Sequence, residues 1–233
     1  MGSALTIDDF KIRLEAVRSR LEDAARKSGR SLKDITLVAV TKGTKTDLIR
    51  QAKEAGLVIC GENRVQEAEE KILALLDTEI QWHLVGHLQS NKVKTAISLF
   101  QLIQSVDTVR VAGKISQGSL AENKMSSVLL EVNISGEAQK YGFKPEEVYS
   151  AIDEIGQMPG IRVQGLMGIA PNTPEEQPKR EAFKKLKGIF SACKMLKHAN
   201  IEMKYLSMGM SDDYVIAVEE GSNMVRIGRA LFK

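Results

Sequence analysis

The first long pattern of apolar positions along the chain is helical. Across residues 7–27, apolar side chains recur every three or four positions, which places them on one face of a helix: Ile7, Phe10, Leu14, Val17 and Leu21. Gly29 follows this segment, and glycine often ends a helix because it accepts left-handed backbone angles. The pattern predicts an amphipathic N-terminal helix with one face for packing.

Beyond that helix, short apolar runs alternate with amphipathic stretches. The apolar runs predict strands at 35–41, 57–62, 81–86, 102–107, 127–134, 162–169, 205–210 and 224–228. The stretches between and after them have helical spacing and predict helices at 46–55, 63–76, 91–99, 108–121, 145–157, 175–198 and 211–220.

Eight strands with helices between them are typical of buried parallel strands joined by right-handed crossovers. An open doubly wound sheet is the alternative, but it usually has fewer strands and often a GxGxxG turn, which this sequence lacks. The pattern therefore predicts an α/β fold, a (β/α)8 barrel of the TIM type. Since no linker divides the chain, we expect a single domain over residues 1–233, with 1–30 as an additional N-terminal helix packed on the barrel.

The composition indicates which partners and which cellular compartment to expect. The 233 residues carry 33 basic and 30 acidic side chains, a net charge of +3 that is too balanced to indicate nucleic acid or a membrane surface. No 18-residue apolar run and no secretory leader is present, so we expect a cytoplasmic protein. The two cysteines, Cys60 and Cys193, lack the spacing of a zinc site, and Cys60 ends an apolar run as a small buried hydrophobe would.

In a βα barrel, the active site lies at the carboxyl ends of the strands. Lys42 lies just beyond the first predicted strand, in the loop "TKGTK". A lysine in a partly dry barrel mouth can lose its proton and attack a carbonyl. An ordinary surface lysine is the alternative, and the residue alone does not decide between them.

The C-terminal region adds candidates for anion binding. Gly228 ends the last predicted strand, and Ser207 and Gly209 lie in the one before it, where barrels often bind phosphate. Tight packing is the alternative for each. Arg226 lies on an apolar strand and needs a partner, which is either a buried carboxylate or a ligand. The run 211–213, Ser-Asp-Asp, is interpreted as the cap and first turn of the next helix.

Histidines give a weaker signal. His83 alternates with Trp82 and can point into the barrel, whereas His87 lies in the following loop. For both, a structural hydrogen bond is the simpler interpretation. Three histidines without acidic neighbours at ligand spacing argue against a metal site.

Seven blocks in order, from about residue 30 to the end, resemble one known family. They are "AVTKGTK", "GENRVQEAEEK", "WHLVGHLQSNK", "SVDT", "LLEVNISGEAQKYGF", "GLMGIAP" and "YLSMGMSDDYVIAVEEGSNMVRIGRALF". This set is similar to the pyridoxal phosphate homeostasis protein family, single-domain relatives of the N-terminal barrel of alanine racemase. The resemblance implies a (β/α)8 barrel that holds pyridoxal 5′-phosphate (PLP) as a lysine Schiff base.

The resemblance also implies roles for residues of this chain. Lys42 would bond the cofactor, Arg226 would face its pyridine nitrogen, and Ser207 with the backbone at Gly228 and Arg229 would hold its phosphate. Further residues would lie near the cofactor without a defined contact: Asn63, His83, Met167 and Gly209. Two departures from the family pattern are the arginine at 229, where a small Ser or Thr is usual, and "AVTKGTK" in place of "AVSKTK".

The mechanism expected from these residues favours holding the cofactor over turnover. An arginine donates but does not accept, so it leaves a pyridine nitrogen unprotonated and the ring a poorer electron sink. We expect a non-catalytic PLP carrier in vitamin B6 homeostasis, monomeric, which delivers the cofactor to apoenzymes. The alternatives are a weak PLP-dependent racemase or lyase and, without cofactor, an aldolase-type Schiff-base barrel.

Overall fold

The eight strands form a closed barrel in a computed structural model that describes residues 5–137 and 139–233. Neighbours in sequence pair in parallel, and the last strand pairs with the first. The strands are β1 (Thr36–Val40), β2 (Ile59–Glu62), β3 (Gln81–Leu84), β4 (Leu102–Val106), β5 (Ser126–Val132), β6 (Ile161–Gly168), β7 (Ile201–Ser207) and β8 (Met224–Ile227). The predicted (β/α)8 barrel is confirmed.

Helices surround the barrel in the expected alternation. They are α1 (Ile7–Lys27), α2 (Thr46–Glu54), α3 (Val65–Ala74), α4 (Val93–Leu99), α5 (Val109–Ala121), α6 (Val148–Ile155), α7 (Glu176–Cys193), α8 (Tyr214–Glu219) and α9 (Arg229–Phe232). Single-turn 3₁₀ helices lie at Leu32–Asp34, Leu76–Thr78, Ser90–Lys92 and Pro145–Glu147. In the ranges that the structure describes, no helix is both long and apolar enough to cross a membrane.

The apolar core has two layers because successive residues of a strand face opposite sides of the sheet. The larger layer lies between strands and helices and includes Cys60 and Cys193, both buried and unpaired as thiols. The smaller layer fills the barrel interior, and its buried members are Val38, Leu102, Leu129, Met167 and Met224. The interior is thus packed with side chains and forms a floor beneath the mouth.

The N-terminal helix closes the fold where β8 meets β1. Thr6 caps α1 by accepting the N–H of Asp9, and the Asp9 carboxylate accepts the N–H of Thr6 in return. Its buried face includes Phe10, whose ring stacks on Phe232 of α9 at a centroid distance of 5.4 Å. The helix predicted across residues 7–27 is therefore confirmed, and it packs over the seam of the barrel.

Several boundaries near the C-terminus differ from the prediction. Strand β7 begins at Ile201, four residues before the predicted start, and α7 ends at Cys193 instead of 198. Exposed Glu202 and Lys204 alternate with buried Met203, so the start of this strand is half polar and does not form an apolar run. The helix predicted at 211–220 begins only at Tyr214, because residues 211–213 form a turn in which the Asp213 carboxylate accepts the Met210 N–H at 2.6 Å.

Candidate functional site

A cavity of about 170 Å³ opens at the carboxyl end of the barrel. Ten residues line it: Val40, Lys42, Asn63, Val85, Ile169, Met210, Ser211, Arg226, Gly228 and Arg229. Five of the residues singled out by sequence therefore meet in one place, although they come from the ends of β1, β2 and β8. Four others lie outside the lining: His83, Met167, Ser207 and Gly209.

Lys42 reaches this cavity because of its spacing along β1. Val38 belongs to the interior layer, and Val40 and Lys42 follow at intervals of two, on the same side of the chain. Lys42 itself is exposed at the rim. The strand thus ends with an amine at the wall of the cavity, above an apolar floor.

Arg226 brings a positive charge to the base of the cavity. Its residue is 4% exposed, and its guanidinium donates to the Ser207 hydroxyl at 2.6 Å and to the Gly168 carbonyl at 3.0 Å. Burial lowers the pKa of Arg226 to about 10, an effect that the charges of Glu131 and Asp213 oppose. The group remains protonated at neutral pH, and two of its five N–H donors are accounted for by these bonds.

Below the cavity, polar side chains cross the barrel interior in a line. The Arg226 guanidinium meets Ser207, the Ser207 hydroxyl donates to Gln104 Oε1 at 2.6 Å, and Gln104 Nε2 lies 3.0 Å from His83 Nδ1. Because the amide nitrogen donates, Nδ1 of His83 is the acceptor, and burial lowers the pKa of His83 to about 4. We call these four residues the lumen line. It places Ser207 and His83 one layer beneath the cavity.

The wall at β8 is formed by Gly228 and the start of α9. A Cβ on Gly228 would lie 3.2 Å from the carbonyl oxygen of Val40, so a side chain there would crowd the end of β1. Arg229 is exposed and forms an ion pair with Asp212. Ser211 accepts the Ala230 N–H through its hydroxyl at 3.2 Å and lies in the cavity wall. From the sequence, Ser211 was expected only in a helix cap.

Met167 and Gly209 pack against the protein and do not line the cavity. Met167 is fully buried in the interior layer. Gly209 has a φ of +95°, and a Cβ there would lie 2.6 Å from the Cβ of Ala217 on α8. Its glycine is thus required by the close approach of the β7–α8 loop to α8.

Glu131, which was not predicted from the sequence, lies in a cavity next to the mouth cavity. It is 8% exposed on β5 and lines a second cavity of about 260 Å³, which shares Ile169 with the first. Burial raises the pKa of Glu131 to about 7, against the lowering effect of the Arg226 charge. A polar residue inside an apolar strand was the available signal, and the same signal marks Gln104 in "LIQSV".

Comparisons with known proteins agree with this geometry. The alanine racemase N-terminal domain family matches residues 12–233. The pyridoxal phosphate homeostasis protein of Aquifex aeolicus is 36% identical over 220 residues, which cover 94% of this chain and 96% of that protein. The protein of the same name from Pseudomonas aeruginosa is 38% identical over 216 residues, 93% of this chain and 91% of that protein.

Solved structures extend the likeness to three dimensions. The PipY protein of Synechococcus elongatus, solved with PLP bound, has a TM-score of 0.84 and 30% identity and covers 96% of this chain and 100% of its own. An alanine racemase of Clostridium difficile, at 18% identity and a TM-score of 0.73, shares the fold over 96% of this chain and 55% of its own. The chain therefore belongs to the alanine racemase N-terminal domain family and, within it, to the pyridoxal phosphate homeostasis proteins.

Proposed function

We propose that this protein binds PLP in the mouth cavity, attaches it reversibly to Lys42, and serves PLP homeostasis by storing and delivering the cofactor. The observation that carries the proposal is the meeting of Lys42, Arg226 and Gly228 in one cavity, in a chain 30% identical to PipY, whose structure contains PLP.

The residues present fit a phosphorylated pyridine aldehyde. The lining supplies a primary amine from Lys42, guanidinium N–H donors from Arg226, and the Ser211 hydroxyl with the Arg229 charge beside Gly228. Val40, Val85 and Ile169 provide apolar walls for an aromatic ring. All charged groups of this lining are cationic, which suits a phosphate dianion.

Each residue has a distinct part in this arrangement. PLP supplies an aldehyde that condenses reversibly with a primary amine, and Lys42 Nζ is the amine in reach of the cavity. Arg226 would face the ring nitrogen as a donor, and Ser207 and Gln104 hold its guanidinium from below. Gly228 leaves room for the phosphate, and Arg229 adds charge where a hydroxyl is more usual. Asn63 lines the same wall, while His83, Met167 and Gly209 support from behind.

A carrier fits this site better than an enzyme. Among the residues that the structure describes, the titratable groups lining the cavity are Lys42, Arg226 and Arg229, with no carboxylate, tyrosine or histidine to serve as a second acid or base. An arginine at the ring nitrogen also keeps the ring a weak electron sink. We further propose that the protein acts as a cytoplasmic monomer and passes PLP to apoenzymes.

The competing function is a weak amino-acid racemase or lyase. Glu131 supports this alternative function, because a carboxyl group with a pKa of about 7 in the adjoining cavity is suited to proton exchange. Incubation of the loaded protein with L- and D-amino acids in deuterated water separates the two functions. We expect no exchange at Cα at catalytic rates, and rapid exchange would replace the carrier proposal with the enzyme.

Reductive trapping tests the attachment site. The apo-protein is incubated with PLP, reduced with borohydride and digested, and the labelled peptide is identified by mass spectrometry. We expect a visible absorption band before reduction and a label on Lys42. Lys42→Ala should lose both while unfolding at the same denaturant concentration as the wild type, since an exposed rim lysine contributes little to the core.

Lys45→Ala is the matched control. Lys45 is also exposed, three residues further along the same loop, and it does not line the cavity. This variant should keep the band and the label. A wild-type protein that stays colourless and unlabelled, or a label that persists in Lys42→Ala, would overturn the proposal.

A further inference from the structure

A buried ionic cluster lies on the outer side of β1 and β2, behind the loop that carries Lys42. Its centre is Lys71 of α3, which is 7% exposed. The three N–H donors of its ammonium group meet three acceptors: the Thr41 carbonyl at 2.7 Å, Glu62 Oε1 at 2.8 Å and Glu67 Oε1 at 2.7 Å. We call Thr41, Glu62, Glu67 and Lys71 the outer cluster.

This cluster holds both peptide groups that flank Lys42. The carbonyl before Lys42, that of Thr41, accepts from Lys71. The N–H after it, that of Gly43, donates to Glu67 Oε1 at 2.7 Å. The Thr44 N–H also donates to the Thr41 carbonyl at 2.9 Å and closes a turn in which Gly43 has a φ of +69°. The backbone that sets the direction of the Lys42 side chain is therefore bonded on both sides to one helix.

Glu62 fixes the position of the ammonium group. It is fully buried, and its Oε1 accepts from Thr41 Oγ1 at 2.5 Å as well as from Lys71. Burial raises the pKa of Glu62, and its Oε2 has no hydrogen-bond partner among the described residues. The Glu62–Lys71 ion pair would be enough to attach α3 to the barrel. The further bonds to the Thr41 carbonyl and the Gly43 N–H are not required for that attachment, and they fix the peptides around Lys42.

We propose that Lys71 and Glu67 are positioning residues that lock the backbone on either side of Lys42 and so aim its amine into the mouth cavity. This inference rests on the proposed attachment of PLP at Lys42. Its physical basis is preorganisation, because a reacting group held in the productive direction avoids the entropy of searching for it.

Glu67 offers the cleaner test, since its side chain is 33% exposed and its loss leaves the Lys71–Glu62 pair in place. Glu67→Ala removes the acceptor of the Gly43 N–H, and Glu67→Gln restores an oxygen without the charge. Glu70→Ala is the matched control, because Glu70 is an exposed carboxylate on the same helix and its removal changes the net charge equally.

The first measurement needs no cofactor. Amide hydrogen exchange of the apo-protein should show the Gly43 N–H exchanging about ten-fold faster in Glu67→Ala, since losing a hydrogen bond to a charged group changes an equilibrium by about that factor. Glu67→Gln should lie between this variant and the wild type, and Glu70→Ala should match the wild type. Unchanged exchange at Gly43 in Glu67→Ala would overturn the proposal.

The second measurement follows the visible band after PLP is added to each apo-protein. We expect its rate constant to fall about ten-fold in Glu67→Ala and to recover within about three-fold of wild type in Glu67→Gln. Glu70→Ala should again match the wild type. Faster Gly43 exchange combined with a wild-type rate would show that the clamp has no effect on Lys42, and the proposal would be wrong.

A failure of the proposed function is recognised separately. In that case, the wild type itself shows no visible band after PLP is added. The orientation of Lys42 is then measured by its acylation relative to Lys45, which mass spectrometry quantifies. An unchanged ratio in Glu67→Ala would then sink the positioning role, whereas an altered ratio would support it without PLP.

Discussion

The lumen line and the outer cluster lie on opposite faces of the barrel sheet, and both end at the mouth cavity. The lumen line ends in Arg226, at the base of the cavity, and the outer cluster ends in the peptides around Lys42. The first is a chain of hydrogen bonds with one permanent charge, and the second contains two carboxylates packed around a lysine. Inside the barrel, the neutral side chains of Ser207, Gln104 and His83 form the line that leads to Arg226. On the outside, charged side chains hold the loop that carries Lys42.

This difference gives the two regions opposite responses to pH. His83 is buried neutral, so acid favours the unfolded chain, where the imidazole accepts a proton more readily. Burial raises the pKa of Glu62, so this residue lowers the stability of the fold as the pH rises. The loss begins above the pKa that Glu62 has in the unfolded chain and grows until the buried carboxyl ionises.

The largest effect is expected from Lys71→Met, which leaves Glu62 buried without its counter-charge. We expect a loss of about 3–5 kcal/mol in the free energy of unfolding at pH 8, because removing one partner of a buried ion pair exposes the other to the full cost of burial. Urea denaturation followed by circular dichroism measures it. The loss should shrink as the pH falls from 8, because burial raises the pKa of Glu62 and the protonated carboxyl needs no counter-charge.

Lys114→Met is the control for that variant, since Lys114 is exposed on α5, and its effect should stay within about 0.5 kcal/mol. Should Lys71→Met lose the same stability at pH 5 and pH 8, the charge of Glu62 would not be the cause.

An intermediate effect is expected from acid acting on His83. The contribution of neutral His83 to the free energy of unfolding is complete above about pH 6.5, the ordinary pKa of histidine. It falls by about 3 kcal/mol as the pH drops towards about 4, the pKa of His83 in the folded protein. The measurement is the difference in unfolding free energy between the wild type and His83→Gln across this range. Gln keeps an acceptor for Gln104 but does not titrate, so parallel curves for the two proteins would contradict the prediction.

The smallest of the three effects is expected from Gln104→Leu, which interrupts the lumen line. His83 loses its donor and Ser207 its acceptor, and two unsatisfied buried groups together cost about 2 kcal/mol. Thermal or urea denaturation at pH 7 is sufficient to detect it. Gln117→Leu, at an exposed position of α5, should change stability by less than about 0.5 kcal/mol, and equal stabilities for both variants would show that the line contributes nothing.

Much of the architecture was predictable because it depends on local patterns. The apolar runs of β1 to β6 and β8 and the helical face of α1 are visible in short windows, and the rule that barrel sites lie at strand ends directed attention to Lys42 and Arg226. The start of β7 was not predictable from apolar residues, since Glu202 and Lys204 interrupt the run and only pairing with β6 makes it a strand.

The polar interior was less predictable because its partners are distant in the chain. Gln104 meets Ser207 and His83 only after β3, β4 and β7 have closed around the same interior. For the same reason, the sequence does not show that the Ser207 hydroxyl is turned towards Gln104 and Arg226 while Ser211 lies in the cavity wall. Single polar residues within apolar strands, such as Gln104, are the signal in the sequence for these interior contacts.

The pairing of β1 with β8 has a consequence for how the protein is made. Thr36 lies opposite Met224, and Ala39 opposite Ile227, so the edge of the first strand gains its neighbour only from the last one. During synthesis on the ribosome, β1 therefore keeps a bare row of backbone donors and acceptors until nearly the whole chain has emerged. Over that interval the edge of β1 is open to pairing with other nascent chains.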